Sequence, residues 1–453
     1  MGKKQPSTAK LKKVRRGFSK IDAGVKAKEC IKISLVSSKE EVGYADSLRV
    51  NPVDLYSFFD GDGKIYGYQG LQITIWVSSI SFHAYADITF ESKSDRGKGI
   101  TDLKAALQRI FAETLVENKH EFLQTFSTES NLIRSIISSG EILNYKTSNG
   151  NIADSNSHLK AANSDVEVVR MVVGTTAAGH LYSRLIPLVL LLVDGRIPID
   201  VIDPRWELYV LIQKKTDRQD DIQCRLLGFT AIYRFYHYPD SSRLQLSQML
   251  VLPPYQHQGY GGYLLEVIND VAVAEDVYDL TVERPLDYFQ HVRSCVDVSR
   301  LFDFDPIEGA FIQAVSRLKR DILSKKIHIP RLMPPSSLID DVRRSLKITK
   351  KQFIKCWEVL IYLGLDPIDE YMEDFVSVIS NRVENHHILK RVIEVPSDYD
   401  QEMSFVTHRS PAGEGGIVQM GLNQTNLEEQ LRQRQLVDKR VEGIKLIELA
   451  VFG

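Results

Sequence analysis

The order of apolar and polar positions divides this chain into segments with different rhythms. Ile31-Lys32-Ile33-Ser34-Leu35-Val36 alternates as a strand does, and Tyr68 to Ile80 carries β-branched and aromatic residues on both sides of Trp76. Leu103, Leu107, Ile110, Phe111 and Leu115 recur at helical spacing within Asp102–Leu115. Asn144 to Asp165 is rich in Asn, Ser, Lys and Ala, with almost nothing to bury, and reads as a long surface loop. Beyond it the pattern is that of a mixed sheet with helices. Strands are expected at Leu208–Lys214, Leu226–Tyr236, Leu244–Leu252 and Val277–Glu283, with a helix from Gly262 to Ala274 between the last two. A strand, a helix and a strand in that order predict a right-handed crossover that lays the two strands parallel. Ala310–Leu323, Thr349–Leu363 and Tyr371–Ile379 each show one apolar face, and Pro330, Pro334, Pro335 and Pro367 break the chain between them.

The expected organisation is therefore α/β: a basic tail over 1–28, an α+β domain over 29–165 ending in the polar loop, a mixed-sheet domain over 166–305, a helical domain over 306–392, and a polar, partly mobile segment over 393–453. The last includes Gly413, Gly415 and Gly416 and a Gln- and Glu-rich stretch. No internal repeat is visible.

Composition changes this picture little. The 57 basic and 59 acidic side chains leave a formal net charge of −2, so bulk charge selects no partner. Its distribution says more. The first twenty residues hold Lys3, Lys4, Lys10, Lys12, Lys13, Arg15, Arg16 and Lys20 and no acid, which leaves the remainder net acidic and better suited to a cationic ligand than to nucleic acid. Lys10 to Arg16 fits a nuclear import signal, or a solvated charge run. Cys30, Cys224, Cys295 and Cys356 lie far apart with no C-x-x-C pair, which argues against a zinc site and a disulfide framework. The N-terminus lacks the apolar core of a signal peptide, and the longest apolar run, Leu185 to Val193, is interrupted by Pro187 and falls short of the ~20 residues a membrane span needs. A soluble intracellular protein is expected, with no metal and no membrane.

The informative chemistry lies in one place. Leu244-Gln245-Leu246-Ser247-Gln248-Met249-Leu250-Val251-Leu252 runs through Pro253-Pro254-Tyr255 into Gln256-His257-Gln258-Gly259-Tyr260-Gly261-Gly262. Leu264, Leu265, Ile268, Val271 and Ala272 then form one face of a helix. A strand feeding a glycine-rich turn that opens a helix presents unpaired N–H groups and the positive end of a helix dipole at one point, which suits a phosphate.

Gln256-x-x-Gly259-x-Gly261 after a strand resembles the acetyl-CoA signature of the GCN5-related N-acetyltransferase superfamily. Within it, Ser247 to Leu252, Leu280-Thr281-Val282-Glu283-x-Pro285, Ile199 to Trp206 and Tyr66 to Leu71 are similar to the type B histone acetyltransferases, the plant members most of all. The resemblance runs from about residue 30 to about 390. It implies the GCN5-related fold flanked by an N-terminal α+β and a C-terminal helical domain, with acetyl-CoA as cosubstrate. It also implies that the backbone of Met249, Leu250 and Val251 lines the pantetheine arm and that Gln256, His257, Gln258, Gly259, Tyr260, Gly261 and Gly262 hold the pyrophosphate. By the same resemblance, Glu283 is the general base and Asp194 a second carboxylate. Asp60 and Asp62 would form an acidic turn, and Tyr233, Arg234 and Phe235 the segment that touches the substrate. That substrate would be the basic tail of histone H4, the expected partner a WD-repeat histone chaperone, and the location nucleus and cytoplasm. Two departures stand out: relatives usually carry an acid where this chain has Arg284, and often a serine where it has Leu286. An acetyltransferase for another protein, or a histone-binding assembly subunit with little catalysis, are the competing functions.

Overall fold

The computed structural model describes residues 24–44, 46–53, 55–59, 63–94, 99–143, 165–195, 197–216, 222–323, 333–365, 369–392 and 422–452. Two compact units are present: one runs through Phe235 and resumes at Gln245–Val267, and the other holds Tyr236–Leu244 and the chain from Ile268 onward.

The first unit opens with β1 (Val25–Lys26), the helical turn α1 (Ala27–Cys30) and β2 (Ile31–Val36). After β3 (Lys64–Ile65) and β4 (Tyr68–Gln69) come β5 (Gln72–Ser78), β6 (Ala84–Thr89) and β7 (Ser92–Lys93). β5 lies at the centre of a three-stranded sheet, parallel to β2 with Ile33 opposite Ile75, and antiparallel to β6 with Trp76 opposite Tyr85. Three helices follow: α2 (Leu103–Phe111), α3 (Lys119–Thr128) and α4 (Leu132–Ile137). Asp102 caps α2 by accepting from the Ala105 N–H at 3.1 Å, and Asn118 caps α3 by accepting from Glu121 at 2.9 Å. The helical periodicity of the sequence is realised in α2, where Leu103, Ala106, Leu107, Ile110 and Phe111 are buried.

A second sheet is built from β8 (Glu141–Leu143), β9 (Val166–Val172), β10 (Trp206–Thr216), β11 (Ile222–His237) and β12 (Ser241–Val251), adjacent in that order. Between β9 and β10 runs α5 (Thr176–Leu192), a helix absent from the sequence expectation. Pro187 sits inside it and withholds one backbone hydrogen bond, yet the helix continues because Leu181, Tyr182, Leu185, Leu188 and Val189 are all buried in the core. They join Leu208, Val210, Phe229, Ala231, Leu250 and Leu252 of the sheet in one cluster. After β12 the chain makes a single 3₁₀ turn, Pro253–Tyr255, and enters α6 (Tyr260–Ala274).

The second unit contains the 236–244 hairpin tip and β13 (Leu280–Val282) beside it. Tyr278 N donates to Ser242 O at 2.7 Å and Leu244 N to Asp279 O at 3.1 Å, bonds that step in the same direction along both segments as in a parallel pair. β13 stops at Val282, so Glu283 lies in the turn after the strand rather than at its end. Helices α7 (Asp287–Phe302), α8 (Ile307–Leu323), α9 (Ser336–Leu346), α10 (Lys350–Leu363) and α11 (Asp369–Val392) follow. Residues 422–452, read from composition as part of a polar and partly mobile segment, form α12 (Leu422–Phe452). Its Val437, Ile444 and Ile447 are buried with Leu318, Phe353, Trp357 and Phe375 in a separate core. Buried Glu358 on α10 pairs with Arg382 of α11 and accepts from Arg440 of α12 at 2.7 Å, which ties the three helices through one carboxylate.

Candidate active site

β12 is a half-buried strand with a strict alternation. Leu244, Leu246, Gln248, Leu250 and Leu252 point into the core and are buried, whereas Met249 and Val251 are half-buried on the other side. The close approach of β11 to this strand depends on Gly228, where a Cβ would stand 2.7 Å from the Leu250 carbonyl oxygen and 3.0 Å from Val251 Cα. Beside it the β10–β11 register slips between Leu211 and Ile212, which leaves Leu227 as an extra residue. Leu227 O accepts from Leu252 N at 2.9 Å.

The turn itself is held by its own glutamines. Gln256 Nε2 donates to Val251 O at 2.9 Å and Gln258 Nε2 to Pro254 O at 3.2 Å. His257 and Gly259 both take left-handed backbone conformations, with φ of 60° and 80°, which turns the chain so that α6 opens at Tyr260. Gly259 is suited to that conformation by lacking a Cβ. Gly261 is different: a Cβ there would meet nothing nearer than Met249 Cε at 3.9 Å, so the protein leaves the space beside it open. The amides opening α6, with Gln256 to Gly259 exposed before them, make a cradle that fits a pyrophosphate, with Met249 and Val251 leading into it. Met249, Leu250, Val251 and 256–262 are thus brought together on one strand, turn and helix.

Asp194 lies just past α5, exposed, with its Oδ1 accepting from the Gly195 N–H at 2.8 Å. Glu283 belongs to the second unit, exposed in the turn between β13 and α7. Arg284 beside it is also exposed and has a φ of 40°, so the two do not alternate along a strand. Leu286 occupies the N-cap of α7 and offers no side-chain hydrogen bond there.

Tyr233, Arg234 and Phe235 divide between the two faces of β11. Tyr233 and Phe235 share one face with Trp206, their rings in edge contact at 4.8 Å (Trp206–Tyr233) and 4.5 Å (Tyr233–Phe235). Asp203 accepts from the Tyr233 hydroxyl at 3.3 Å and forms a forked pair with Arg205, whose guanidinium lies over the Tyr233 ring. The Arg205 hydrogen bonds hold the Asp203 carboxyl down at about 2. Arg234 points the other way and donates to buried Glu207 at 2.7 Å, where Arg170 (3.0 Å) and the Tyr209 hydroxyl (2.8 Å) also converge. Asp60 and Asp62 lie outside the described residues.

Three residues not singled out from the sequence belong to the site's frame: Trp206, Gly228 and Gln248. Gln248 was legible as a polar residue in the inward phase of an otherwise apolar strand. Trp206, like Gln248, lies in a segment that carries the family likeness, and Gly228 could be recognised only from its neighbour's backbone.

A strand, a glycine turn and a helix on a mixed sheet are the arrangement that the GCN5-related acetyltransferase fold calls for. A family model described as "Histone acetyl transferase HAT1 N-terminus" matches residues 23–194. The histone acetyltransferase type B catalytic subunit of Arabidopsis thaliana is 53% identical over 449 residues, covering 98% of this chain and 95% of that protein. Its namesake in Zea mays is 43% identical over 450 residues, covering 97% and 93%. The chain belongs to the family of type B histone acetyltransferase catalytic subunits. Among solved structures, an aminoglycoside acetyltransferase from a soil metagenome covers 27% of this chain and 80% of its own at 14% identity and a TM-score of 0.21, a likeness too slight to carry weight.

Proposed function

We propose that this chain moves acetyl from acetyl-CoA to a lysine in the N-terminal tail of newly made histone H4, with Glu283 as general base. The observation that carries the reading is the turn at 256–262, whose backbone conformation and open flank at Gly261 suit a coenzyme A pyrophosphate. A free lysine amine has a pKa near ~10.4, so a neutral nucleophile is scarce at pH 7 and a base is needed. Glu283 accepts the proton, directly or through water, and Asp194 assists. The amine nitrogen attacks the thioester carbonyl carbon, the tetrahedral adduct collapses, and the C–S bond breaks to release coenzyme A. Trp206, Tyr233 and Phe235 offer an aromatic face on which the tail's aliphatic and cationic groups can lie, and Asp60 and Asp62 bring negative charge that suits a cationic tail. A WD-repeat histone chaperone is the proposed partner, and nucleus and cytoplasm the proposed locations, both from the family resemblance.

The test is transfer of labelled acetyl to a panel containing H4 tail peptide, H3 tail peptide, intact core histones and small polyamines. Preferential labelling of H4, with a tail Michaelis constant that rises with ionic strength, supports the reading. Equal labelling of polyamines, or none of any histone, would sink it.

A further inference from the structure

We infer that Tyr182 and Gln248 form a positioning pair that ties the acetyl-CoA strand β12 to the loop after α5 and so sets where Asp194 stands. The inference rests on the reading of Asp194 as a carboxylate that serves the incoming amine.

Gln248 is only 3% exposed, between Leu246 and Leu250 in the core phase of β12. A primary amide in such a place is costly unless both of its ends are bonded. Its Oε1 accepts from the Tyr182 hydroxyl at 2.8 Å, and its Nε2 donates to Ile197 O at 2.6 Å. The same hydroxyl oxygen accepts from Ile199 N at 3.1 Å. Two buried side chains therefore satisfy the backbone on both sides of Pro198, a residue with no N–H of its own. Burial pushes the Tyr182 phenol above its ordinary value, against the opposing hydrogen bonds, so it remains a neutral donor.

The loop these bonds hold is otherwise outward-facing, with Ile197 exposed at 77%. At its other end Val193 N closes α5 on Val189 O at 3.1 Å. Asp194 stands between those two anchors, one residue past the first and three before the second, so both bonds limit how far its backbone can shift. At β12 the Gln248 carbonyl accepts from Thr230 Oγ1 at 2.6 Å, which fixes the backbone immediately before Met249. One residue thus joins the strand that leads to the cofactor turn with the loop that leads to the acid.

The full-length enzyme should be assayed as Tyr182→Phe, which removes the hydroxyl alone, and as Gln248→Glu, which keeps the acceptor for Tyr182 but turns the donor toward Ile197 into an oxygen. Asp194→Asn is made alone and in each background. The expected result is a fall in turnover of about 10-fold or more in either variant, with the acetyl-CoA dissociation constant changed by less than about twofold. Asp194→Asn should then add little on top, because both changes act on one group. Unchanged turnover in both variants overturns the pairing. So does equal weakening toward acetyl-CoA and histone, which would mean that the two side chains merely support the core. Fully multiplicative effects with Asp194→Asn overturn the route through Asp194. If Asp194→Asn alone is silent while Tyr182→Phe lowers turnover, the reading of Asp194 fails and the loop anchor stands apart from it.

Discussion

At the scale of single residues, the corner after β13 carries two side chains, Arg284 and Leu286, that differ from what the family resemblance leads one to expect. Leu286 sits at the N-cap of α7 without an oxygen to offer the orphan amides of the first turn, and it is 52% exposed, so little packing would be lost on replacing it. Leu286→Ser restores a cap and should raise unfolding free energy by about 1 kcal/mol in urea titration. A loss of stability would mean that Leu286 packs more than its exposure suggests. Arg284 holds a left-handed backbone, with a φ of 40°, that a long L side chain adopts only at a penalty. The sequence puts Glu283 at the end of a strand, whereas the strand stops at Val282 and Glu283 lies in the turn beyond it. That Arg284 turns the chain just beyond it was not legible, because nothing in a side chain's identity announces a positive φ at a non-glycine residue.

At the scale of elements, the strand, turn and helix from Leu244 to Ala274 follow from alternation, glycine and helical spacing, and β12 and α6 begin within a few residues of the expected places. Their glycines do different work, which a sequence does not reveal. Gly228→Ala would drive a Cβ into the backbone of β12 and should destabilise the first unit by about 1–3 kcal/mol. Gly261→Val meets open space and replaces glycine within a helix, so stability should hold or rise slightly. Its effect should fall on acetyl-CoA instead, with the dissociation constant raised about 10-fold or more while the melting temperature stays put. Calorimetric titration beside a thermal melt separates the two; a Gly261→Val protein that melts early and binds normally would contradict the placement. α5 escaped notice because Pro187 reads as a breaker, and burial of its neighbours overrides that local preference. α12 escaped because its first half is rich in Gln, Glu and Arg, although Val437, Val441, Ile444, Ile447 and Val451 recur near helical spacing and meet the helical core.

At the scale of the whole molecule, the chain combines a sheet unit carrying the glycine turn with a helical unit carrying Glu283, and each has its own core. Charge buried in the sheet makes stability depend on pH. Burial alone would raise the Glu207 carboxyl, but the hydrogen bonds from Arg234 and Arg170 outweigh it and hold it below the ordinary carboxylate range. Its stabilising contribution is therefore complete above the unfolded value of about 4.3 and is lost as pH falls through the lower folded value. Glu207→Gln should be less stable than the parent by about 3 kcal/mol at pH 7, with the gap closing below about pH 4. A gap that stays constant from pH 7 to pH 3 would mean that the carboxylate's charge is not what matters there. In the proposed reaction Glu283 takes the proton from a histone lysine while the glycine turn holds acetyl-CoA. The most direct measurement is turnover of labelled acetyl-CoA with intact histones by the parent and Glu283→Gln, with acetyl-CoA affinity measured alongside. A fall in turnover of roughly 10²-fold or more at unchanged affinity is predicted, and turnover equal to the parent's at neutral pH would contradict it.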